Sequence, residues 1–291
     1  MISLSEVEST IHKGVVSVII PTLNSEKTIG AVLASLERQK YPDIEIIIVD
    51  GGSVDRTLQI VGSTRSIVTL KDEERSQSKN FGATISHGEI LYFIDDDFVL
   101  EESVILDAVR ELNNGFDAVL IPNRCDPSGS FWNRARNLER DCYLDDWNNV
   151  ATRFMKRNVF FSVGGFDKNL YSAEDYDLHL RILASGYRIV RNSSTEWNIG
   201  EPATLGEIAR KASYYGANAT EFLLKYPKLG FKLLMPFRLA YIRHWKKLLR
   251  HPFLSIGIVL ENVVKYFWGY VGYCASRSGK NLVSPRRKVK N

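Results

Sequence analysis

A chain of 291 residues with 44% hydrophobic and 25% charged residues can bury a large core, which excludes a disordered or fibrous protein. Its three cysteines are scattered without the spacing of metal ligands, which argues against a disulfide framework or a zinc site and is typical of a reducing compartment. The net charge of +4 is uneven, because residues 225–291 hold 15 of the 38 Lys and Arg but one of the 34 acidic residues.

The N-terminal half alternates apolar runs with helical patterns. Residues 1–14 are predicted to form an arm and lack the apolar segment of a secretory signal. Continuous apolar runs, typical of strands buried on both faces of a parallel sheet, occur at 15–20, 44–49, 67–70, 90–94 and 118–121. Apolar residues at helical spacing lie between these runs. The alternation predicts an α/β fold with a Rossmann-like, mostly parallel sheet flanked by helices.

Polar loops follow three of the predicted strands, at 21–26, 50–53 and 95–97. The first of them begins at Pro21, where we expect the strand to end. The third consists of three adjacent acids that repel one another, so their position at a strand end predicts a bound cation. Ligands of parallel sheets bind outside the carboxyl ends of the strands, where the three loops would meet. The alternative is an ordinary polar turn that caps the next helix.

The segment after the sheet gives weaker signals. Residues 122–149 show no helical or strand periodicity, which predicts an irregular excursion that faces the substrate. Glu174 and Asp175 open a predicted helix, but the helix dipole favours acids in a first turn in any case. Thr204 and Glu207 predict a capping box, with apolar residues at helical spacing as far as residue 223.

The C-terminal part differs from the rest in composition. Basic residues alternate with Leu, Phe, Tyr and Trp, which predicts a helical, basic, amphipathic extension over 225–276 that binds an anionic membrane surface. The stretch 253–275 approaches the length of a bilayer span, but polar residues interrupt it, so we expect a helix in the membrane plane. A helical hairpin packed on the preceding domain is the alternative. A basic tail follows at 277–291, and no nucleic-acid module is recognisable, so we expect no nucleic-acid partner.

Four segments resemble the motifs of family 2 glycosyltransferases, which are inverting enzymes of the A-type glycosyltransferase fold. They are VSVIIPTLNSEKTI, IEIIIVDGGSVDRT, SKNFGATISHGEILYFIDDDF and VGGFDKNLYSAEDYDLHLRI, in the family's order, and together cover roughly residues 15–200. The resemblance implies a catalytic domain over 15–224 that transfers sugar from a nucleotide-diphosphate sugar to a hydroxyl acceptor. It is similar to members acting on lipid-linked or cell-surface glycans, which implies a cytoplasmic protein, peripheral on the inner face of the cell membrane.

The resemblance also implies a role for individual residues. Asp175, with Glu174 beside it, would supply the catalytic base, and Asp95 and Asp97 would hold Mg²⁺ or Mn²⁺ on the diphosphate. The residues that would bind the nucleotide sugar are Pro21, Thr22, Asn24, Glu26, Asp50, Gly52, Lys79, Asn80 and Asp96. Among them, Asp50 would hydrogen-bond the base, and Asp96 would face the ribose or the nucleotide.

The chain departs from the family pattern in three places. Lys79 stands where the family usually has Arg, and residues 195–201 lack the His that members often place after the catalytic helix, with Asn198 near its position. The Gln-x-x-Arg-Trp signature of processive synthases is absent, which favours a single addition. A polyprenyl-phosphate sugar synthase and a non-catalytic sugar-nucleotide-binding membrane protein on the same fold are the alternatives. A nucleotidyltransferase accounts for fewer of the motifs.

Overall fold

The computed structural model describes residues 11–62, 67–70, 74–143, 151–234 and 239–278. Most of the predicted N-terminal arm and nearly all of the predicted basic tail lie outside these residues. The chain divides into two compact units. The first consists of Met1–Asn123, Ala151–Lys168 and Glu174–Trp197, and the second of Arg124–Val150, Asn169–Ala173 and Asn198–Asn291.

Strands and helices alternate along the first unit, and helices dominate the second. The strands are β1 (His12–Thr22), β2 (Ile44–Asp50), β3 (Ile67–Leu70), β4 (Gly88–Phe93), β5 (Phe98–Leu100), β6 (Ala118–Leu120), β7 (Asn123–Cys125), β8 (Phe154–Lys156), β9 (Ile189–Arg191) and β10 (Glu196–Asn198). The helices are α1 (Ile29–Glu37), α2 (Thr57–Val61), α3 (Arg75–Ile85), α4 (Val104–Asn113), α5 (Phe131–Asp141), α6 (Arg157–Ser162), α7 (Glu174–Ala184), α8 (Leu205–Ala217), α9 (Thr220–Lys225), α10 (Pro227–Leu234), α11 (Leu239–Arg243), α12 (Trp245–Arg250) and α13 (Pro252–Arg277).

A seven-stranded sheet forms the centre of the first unit, in the order β3-β2-β1-β4-β8-β6-β9. All its pairs are parallel except the two that β8 makes with β4 and β6. Alternate residues of β1 enter separate cores on the two faces, Ile20 on one and Ile19 on the other. The fully apolar runs are therefore strands buried on both sides, and the predicted α/β fold is confirmed.

The expected end of β1 at Pro21 is wrong. The strand continues through Pro21 to Thr22, which pair with Val49 and Asp50 of β2. Proline lacks an N–H donor but keeps its carbonyl, and beyond it the Thr22 carbonyl still accepts from Gly51 N at 2.9 Å. As a result β1 and β2 end level with each other, and their polar loops begin side by side.

Helix α3 packs closely on the sheet because of Gly82. A Cβ at this position would lie 2.5 Å from Ile19 Cγ2 and 3.3 Å from Val49 Cγ2. Lys79 precedes Gly82 by three residues and so shares its face of the helix. The close packing that Gly82 permits thereby keeps Lys79 on the buried face of α3.

The irregular excursion expected at 122–149 contains an 11-residue helix, α5. The Ser130 hydroxyl caps it by accepting from Asn133 N at 3.3 Å. The buried face of α5 includes Asn133 and Arg136 as well as Ala135. Because polar residues occupy buried positions, the apolar periodicity that predicts amphipathic helices is missing.

Two helices of the second unit, α8 and α13, pack with their backbones in close approach. The predicted capping box of Thr204 and Glu207 is confirmed at the start of α8, but this helix ends at Ala217 and α9 begins only at Thr220. A Cβ on Gly272 of α13 would overlap the carbonyl oxygen of Ser213 in α8. Among the described residues, no helix is both long and apolar enough to cross a bilayer.

Candidate active site

The loops after β1 and β2 are bound to each other at the carboxyl edge of the sheet. Buried Asp50 accepts from the hydroxyls of Thr22 and Ser53 at 2.8 and 2.6 Å, and from the amides of Gly52 and Ser53 at 3.0 and 2.8 Å. Gly52 has φ +88, a conformation that favours glycine. Both carboxylate oxygens of Asp50 are engaged by the loop, so contact with a base would require exchange of one of these bonds.

Two other candidate residues of the first loop, Asn24 and Glu26, also bind the loop after β2. Asn24, with φ 51, accepts from Val54 N at 2.9 Å and donates its own amide to Ser53 Oγ at 2.8 Å. Glu26 accepts from Arg56 N at 3.1 Å. Pro21 is partly buried and lies within β1, one residue before the strand ends. The loops after β1 and β2 thus form one hydrogen-bonded polar rim. Most of its bonds use side chains that the resemblance assigned to the nucleotide.

The three acids after β4 have different surroundings. Asp96 is buried and accepts a short hydrogen bond from the Ser25 hydroxyl of the first loop. Asp97 is buried as well, whereas the side chain of Asp95 is 20% exposed and lies beside two cations. The acids at 95–97 therefore do not form one uniform polar turn, since Asp96 joins the rim and Asp95 faces the basic side chains of α3.

Lys79 is the centre of the site. Its side chain is 1% exposed, and its Nζ lies 2.9 Å from Asp175 Oδ1, 3.3 Å from Glu174 Oε1 and 3.8 Å from Asp95 Oδ1. The same ammonium stands 4.9 Å from the centre of the Phe166 ring. One buried cation thus brings together acids that are about 80 positions apart in sequence, and it does so where the resemblance expected an Arg.

Burial and the neighbouring opposite charges shift the pKa values of this cluster in opposite directions. Burial is the largest influence on Lys79 and disfavours its charge, but Asp175, Glu174 and Asp95 together outweigh it and raise the pKa of the ammonium. For Glu174, burial is again the largest influence and raises the pKa of the carboxyl, with Lys79 opposing it and Asp175 adding to it. Lys79 therefore stays charged at neutral pH, and it neutralises a group of acids that would otherwise repel one another.

Arg75 is a site residue that the sequence analysis missed. Its guanidinium lies 3.8 Å from Asp95 Oδ2 and 3.9 Å from Glu174 Oε1, one helical turn before Lys79. Spacing of four residues puts the two cations on one face of α3. This spacing was readable from the sequence, but nothing in it indicated that acids would lie opposite.

The turn before α7 is fixed from two sides. Asn80 donates to the Phe166 carbonyl at 2.8 Å and accepts from the Phe166 amide at 2.9 Å. From α7, Arg181 donates to the Gly165 carbonyl at 2.6 Å and is itself held by Asp177 at 2.7 Å. Asn80, which the resemblance assigned to the nucleotide, thus holds the backbone of this turn. The contacts made by Asp177 and Arg181 were missed, although acid and base four residues apart are a readable signal.

Asp95 and Asp97 suit a hard divalent cation such as Mg²⁺ or Mn²⁺, which prefers carboxylate oxygen. Within the described part of the chain, no group of three or more His, Cys, Asp or Glu side chains could enclose an ion. Mg²⁺ is usually bound by one or two carboxylates together with substrate phosphates, so two aspartates beside a bound diphosphate fit it. Asn198 stands near the position where the family often has a His. Its Oδ1 accepts a hydrogen bond from Gly200 N at 3.0 Å.

Comparison with known proteins gives the same assignment as the motifs. A family model described as glycosyl transferase family 2 matches residues 17–170, more than half of the chain. An uncharacterized glycosyltransferase of Haemophilus influenzae is 27% identical over 217 residues, which span 70% of this chain and 72% of that protein.

Two solved structures share the fold. Staphylococcus aureus TarS 1–349 in complex with UDP-GlcNAc has a TM-score of 0.55 at 18% identity, with 91% of this chain and 92% of that chain covered. The mannosyltransferase PcManGT of Pyrobaculum calidifontis in complex with GDP-Man and Mn²⁺ has a TM-score of 0.58 at 19% identity, with 94% and 78% covered.

The matched segment runs from β1 to the turn just before α7 and includes the polar rim, Lys79 and the three acids after β4. The sheet without its edge strand β9, the helices between its strands and these loops are thus the parts that the family model covers. The chain belongs to glycosyltransferase family 2 and has the A-type glycosyltransferase fold.

Proposed function

We propose that the protein transfers a sugar from a nucleotide-diphosphate sugar to a hydroxyl of a glycan or lipid-linked acceptor, by a metal-assisted single displacement that inverts the anomeric centre. The cluster in which Asp95, Glu174 and Asp175 converge on Lys79 carries the proposal. Around one buried cation it places an acid suited to act on the leaving group, and also a pair of acids suited to proton transfer. The sugar nucleotides bound by the two solved relatives support the donor class.

Asp175 is the base in this proposal. Lys79 binds its Oδ1 at 2.9 Å, and we assign Oδ2 to the acceptor hydroxyl, whose proton it removes as the oxygen attacks the anomeric carbon. Glu174 lies deeper, with a raised carboxyl pKa, and serves to hold Lys79 in place. A single displacement needs no covalent intermediate, and one attack from the face opposite the leaving group inverts the configuration.

Asp95 and Asp97 act on the leaving side, where they would hold Mg²⁺ or Mn²⁺. Such an ion, when bound, neutralises the charge that develops on the diphosphate oxygens. Arg75 is 41% exposed and stands beside Asp95, so its guanidinium can approach the same phosphates. The rim formed by the loops after β1 and β2, with Asp96 bound to it, would hold the nucleoside.

The proposed location is cytoplasmic, peripheral on the inner face of the cell membrane. We assign residues 15–224 to catalysis, 225–276 to a membrane-associating extension and 277–291 to a basic tail. The support is the concentration of 15 of the 38 Lys and Arg in residues 225–291. This location suits an acceptor that is itself tied to a lipid or to the cell surface.

A panel of nucleotide sugars with glycan and polyprenyl-phosphate acceptors, with Mn²⁺ or Mg²⁺, tests the proposal. NMR of the product gives its anomeric configuration, which we expect to be opposite to that of the donor. Retained configuration would contradict the single displacement, and sugar on a lipid phosphate would make the protein a polyprenyl-phosphate sugar synthase. Donor binding without turnover on any acceptor would favour the non-catalytic alternative.

A further inference from the structure

The C-terminal helices of the second unit expose a long apolar surface. On α13 it is a ridge of residues that repeat at intervals of three and four positions, with exposed fractions between 49% and 78%. We call this the α13 ridge, and it consists of Phe253, Ile256, Leu260, Val263, Phe267 and Tyr270. At 1.5 Å per residue the ridge is roughly 25 Å long. Surfaces of this kind mark a binding site for a protein or a membrane.

The opposite face of α13 is already used for packing, so the ridge cannot turn inward. Gly272 meets the backbone of Ser213 in α8, and a Cβ on Gly257 would lie 2.6 Å from the Phe131 ring of α5. Glu261 points to the same side, with its Oε1 2.5 Å from Arg136 Nε and 2.7 Å from Lys265 Nζ. These contacts fix the rotation of α13 and leave the ridge facing outward.

The exposed charges of helices α11–α13 have one sign. Glu261 is the only acid among residues 225–291, and it is 1% exposed. On α11 and α12 the exposed residues Arg243, Lys246 and Arg250 stand beside exposed Trp245 and Leu249. A partner of this surface therefore meets cations next to aliphatic and aromatic side chains, without an exposed carboxylate in the described helices α11–α13. An anionic, partly apolar partner is complementary to it.

A second copy of the chain is the competing occupant, because the ridge has the spacing of a coiled-coil seam. Coiled coils set their partner and register with charged residues beside the seam. Here the flanking positions carry Val259, Val264, Tyr266 and Val271 instead. The flanks thus offer nothing to select a helical partner, whereas Trp, Tyr and Phe beside Lys and Arg are typical of helices that lie in a lipid interface.

We propose that the outward face of α11–α13 is a docking surface for an anionic lipid bilayer. The α13 ridge enters the boundary between headgroups and acyl chains with the helix parallel to the membrane, and Arg243, Lys246 and Arg250 bind the headgroups. The inference rests on the proposed location of the enzyme and gives it a defined surface, but it is independent of the proposed chemistry.

Flotation of the purified full-length protein with vesicles tests this surface without donor or acceptor. Wild type should float with vesicles that contain phosphatidylglycerol, much less with pure phosphatidylcholine, and less as salt rises. The triple variant R243Q/K246Q/R250Q should bind about a hundredfold more weakly, because each basic side chain near an anionic surface contributes about a fivefold change. The ridge variant V263N/F267N should also lose binding, since its polar amides replace exposed apolar groups.

The matched control is R38Q/K40Q/R110Q, which removes three exposed cations of the first unit and should float like wild type. Light scattering of wild type and V263N/F267N tests whether a second copy of the chain covers the ridge instead. A wild-type dimer that V263N/F267N dissociates would assign the ridge to a second copy and overturn the proposal. Absence of flotation by wild type, or equal flotation by the triple variant, would overturn it as well. Turnover on a water-soluble acceptor should be unchanged in these variants, which separates failure of docking from failure of the proposed chemistry.

Discussion

Lys79 is held by its charge partners rather than by solvent. Its ammonium is buried among Asp175, Glu174 and Asp95, so removing the cation would leave acids that repel one another in a water-poor site. The Phe166 ring lies 4.9 Å from the ammonium and covers it on one further side. In the proposed mechanism Lys79 is therefore a positioning residue, which acts on the reaction through Asp175.

Lys79→Met should lower the free energy of unfolding by about 3–5 kcal/mol, because breaking a buried ion pair leaves an uncompensated charge. It should also reduce kcat more than KM for the donor, since Asp175 is released from its position. Lys79→Arg keeps the charge and should recover much of the stability. Urea denaturation and steady-state kinetics on the three proteins provide the measurement. A Met variant as stable and as active as wild type would contradict this role.

The site residues differ in how far sequence could predict them. The acids Asp95, Asp97 and Asp175 were predicted from strand ends and motif resemblance. Their convergence on Lys79 was not, because it joins segments whose contacts are set only when the sheet is formed. For Asp50 and Asn80, the motifs predicted the position of the side chain but not its hydrogen-bond partners. In the structure both side chains bind backbone groups of the protein. A motif locates a side chain, while its hydrogen-bond partners depend on which loops fold against it.

At the level of elements, the position of α3 depends on Gly82. Ala is the better helix former by about 1 kcal/mol, so in an exposed helix Gly→Ala is neutral or stabilising. At Gly82 the added methyl would lie 2.5 Å from Ile19 Cγ2. Gly206 of α8 is the matched comparison, because a Cβ there meets nothing within 4 Å.

We expect Gly82→Ala to destabilise the protein by about 1–3 kcal/mol through overpacking. Gly206→Ala should leave stability unchanged or raise it by up to about 1 kcal/mol. Urea midpoints of the two variants decide the point. Equal effects of the two substitutions would show that helix propensity, rather than contact with β1, governs position 82.

Helices α5 and α8 both contact Glu201, which precedes α8. Its carboxylate lies 2.7 Å from Arg140 Nη2 and 2.9 Å from Lys211 Nζ. Burial is the largest influence on the pKa of Glu201 and raises it, but Lys211, Arg140 and Arg136 together bring it far below the ordinary range. The pKa is lower in the folded state, so the ionised carboxylate stabilises the fold above the unfolded value of about 4.3. This contribution is lost as the pH falls below that value towards the folded pKa.

Glu201→Gln should therefore lower the unfolding free energy at neutral pH, and its difference from wild type should shrink as the pH falls below about 4. Glu221→Gln, at an exposed position of α9, is the control and should have little effect at any pH. Urea denaturation at a series of pH values measures the difference. A gap between Glu201→Gln and wild type that widens towards acid pH would contradict the assignment.

The elements of the two units were not equally predictable. The strands around β1 and β4 followed from apolar runs because both of their faces are buried. Helix α5 gave no such signal, since Arg136 is buried with its charge neutralised by Glu201 and Glu261. Buried polar positions are recognised only when their partners are known, and those partners lie more than 60 residues further along the chain.

In the whole molecule, the proposed chemistry and the proposed location belong to different parts of the chain. Asp95, Asp97 and Asp175 belong to the first unit, and the α13 ridge belongs to the second. The uneven charge follows the same division, with the basic excess in residues 225–291. A family 2 glycosyltransferase whose acceptor is bound to a membrane needs both properties, and each can be tested without the other.

The proposed mechanism divides the labour between two groups of residues: Asp97 with Asp95 holds the departing diphosphate, and Asp175 deprotonates the acceptor. The direct measurement compares Asp97→Asn and Asp175→Asn for thermal stabilisation by the donor, with Mn²⁺ and with a chelator, and for turnover. Donor at a hundredfold over its Kd should stabilise wild type by about 2.7 kcal/mol.

We expect Asp175→Asn to keep the metal-dependent stabilisation by donor while its turnover falls by about 10²–10⁴-fold. Asp97→Asn should lose both. If Asp175→Asn turned over at the wild-type rate, or if Asp97→Asn kept the metal-dependent stabilisation by donor, the division of labour would be contradicted.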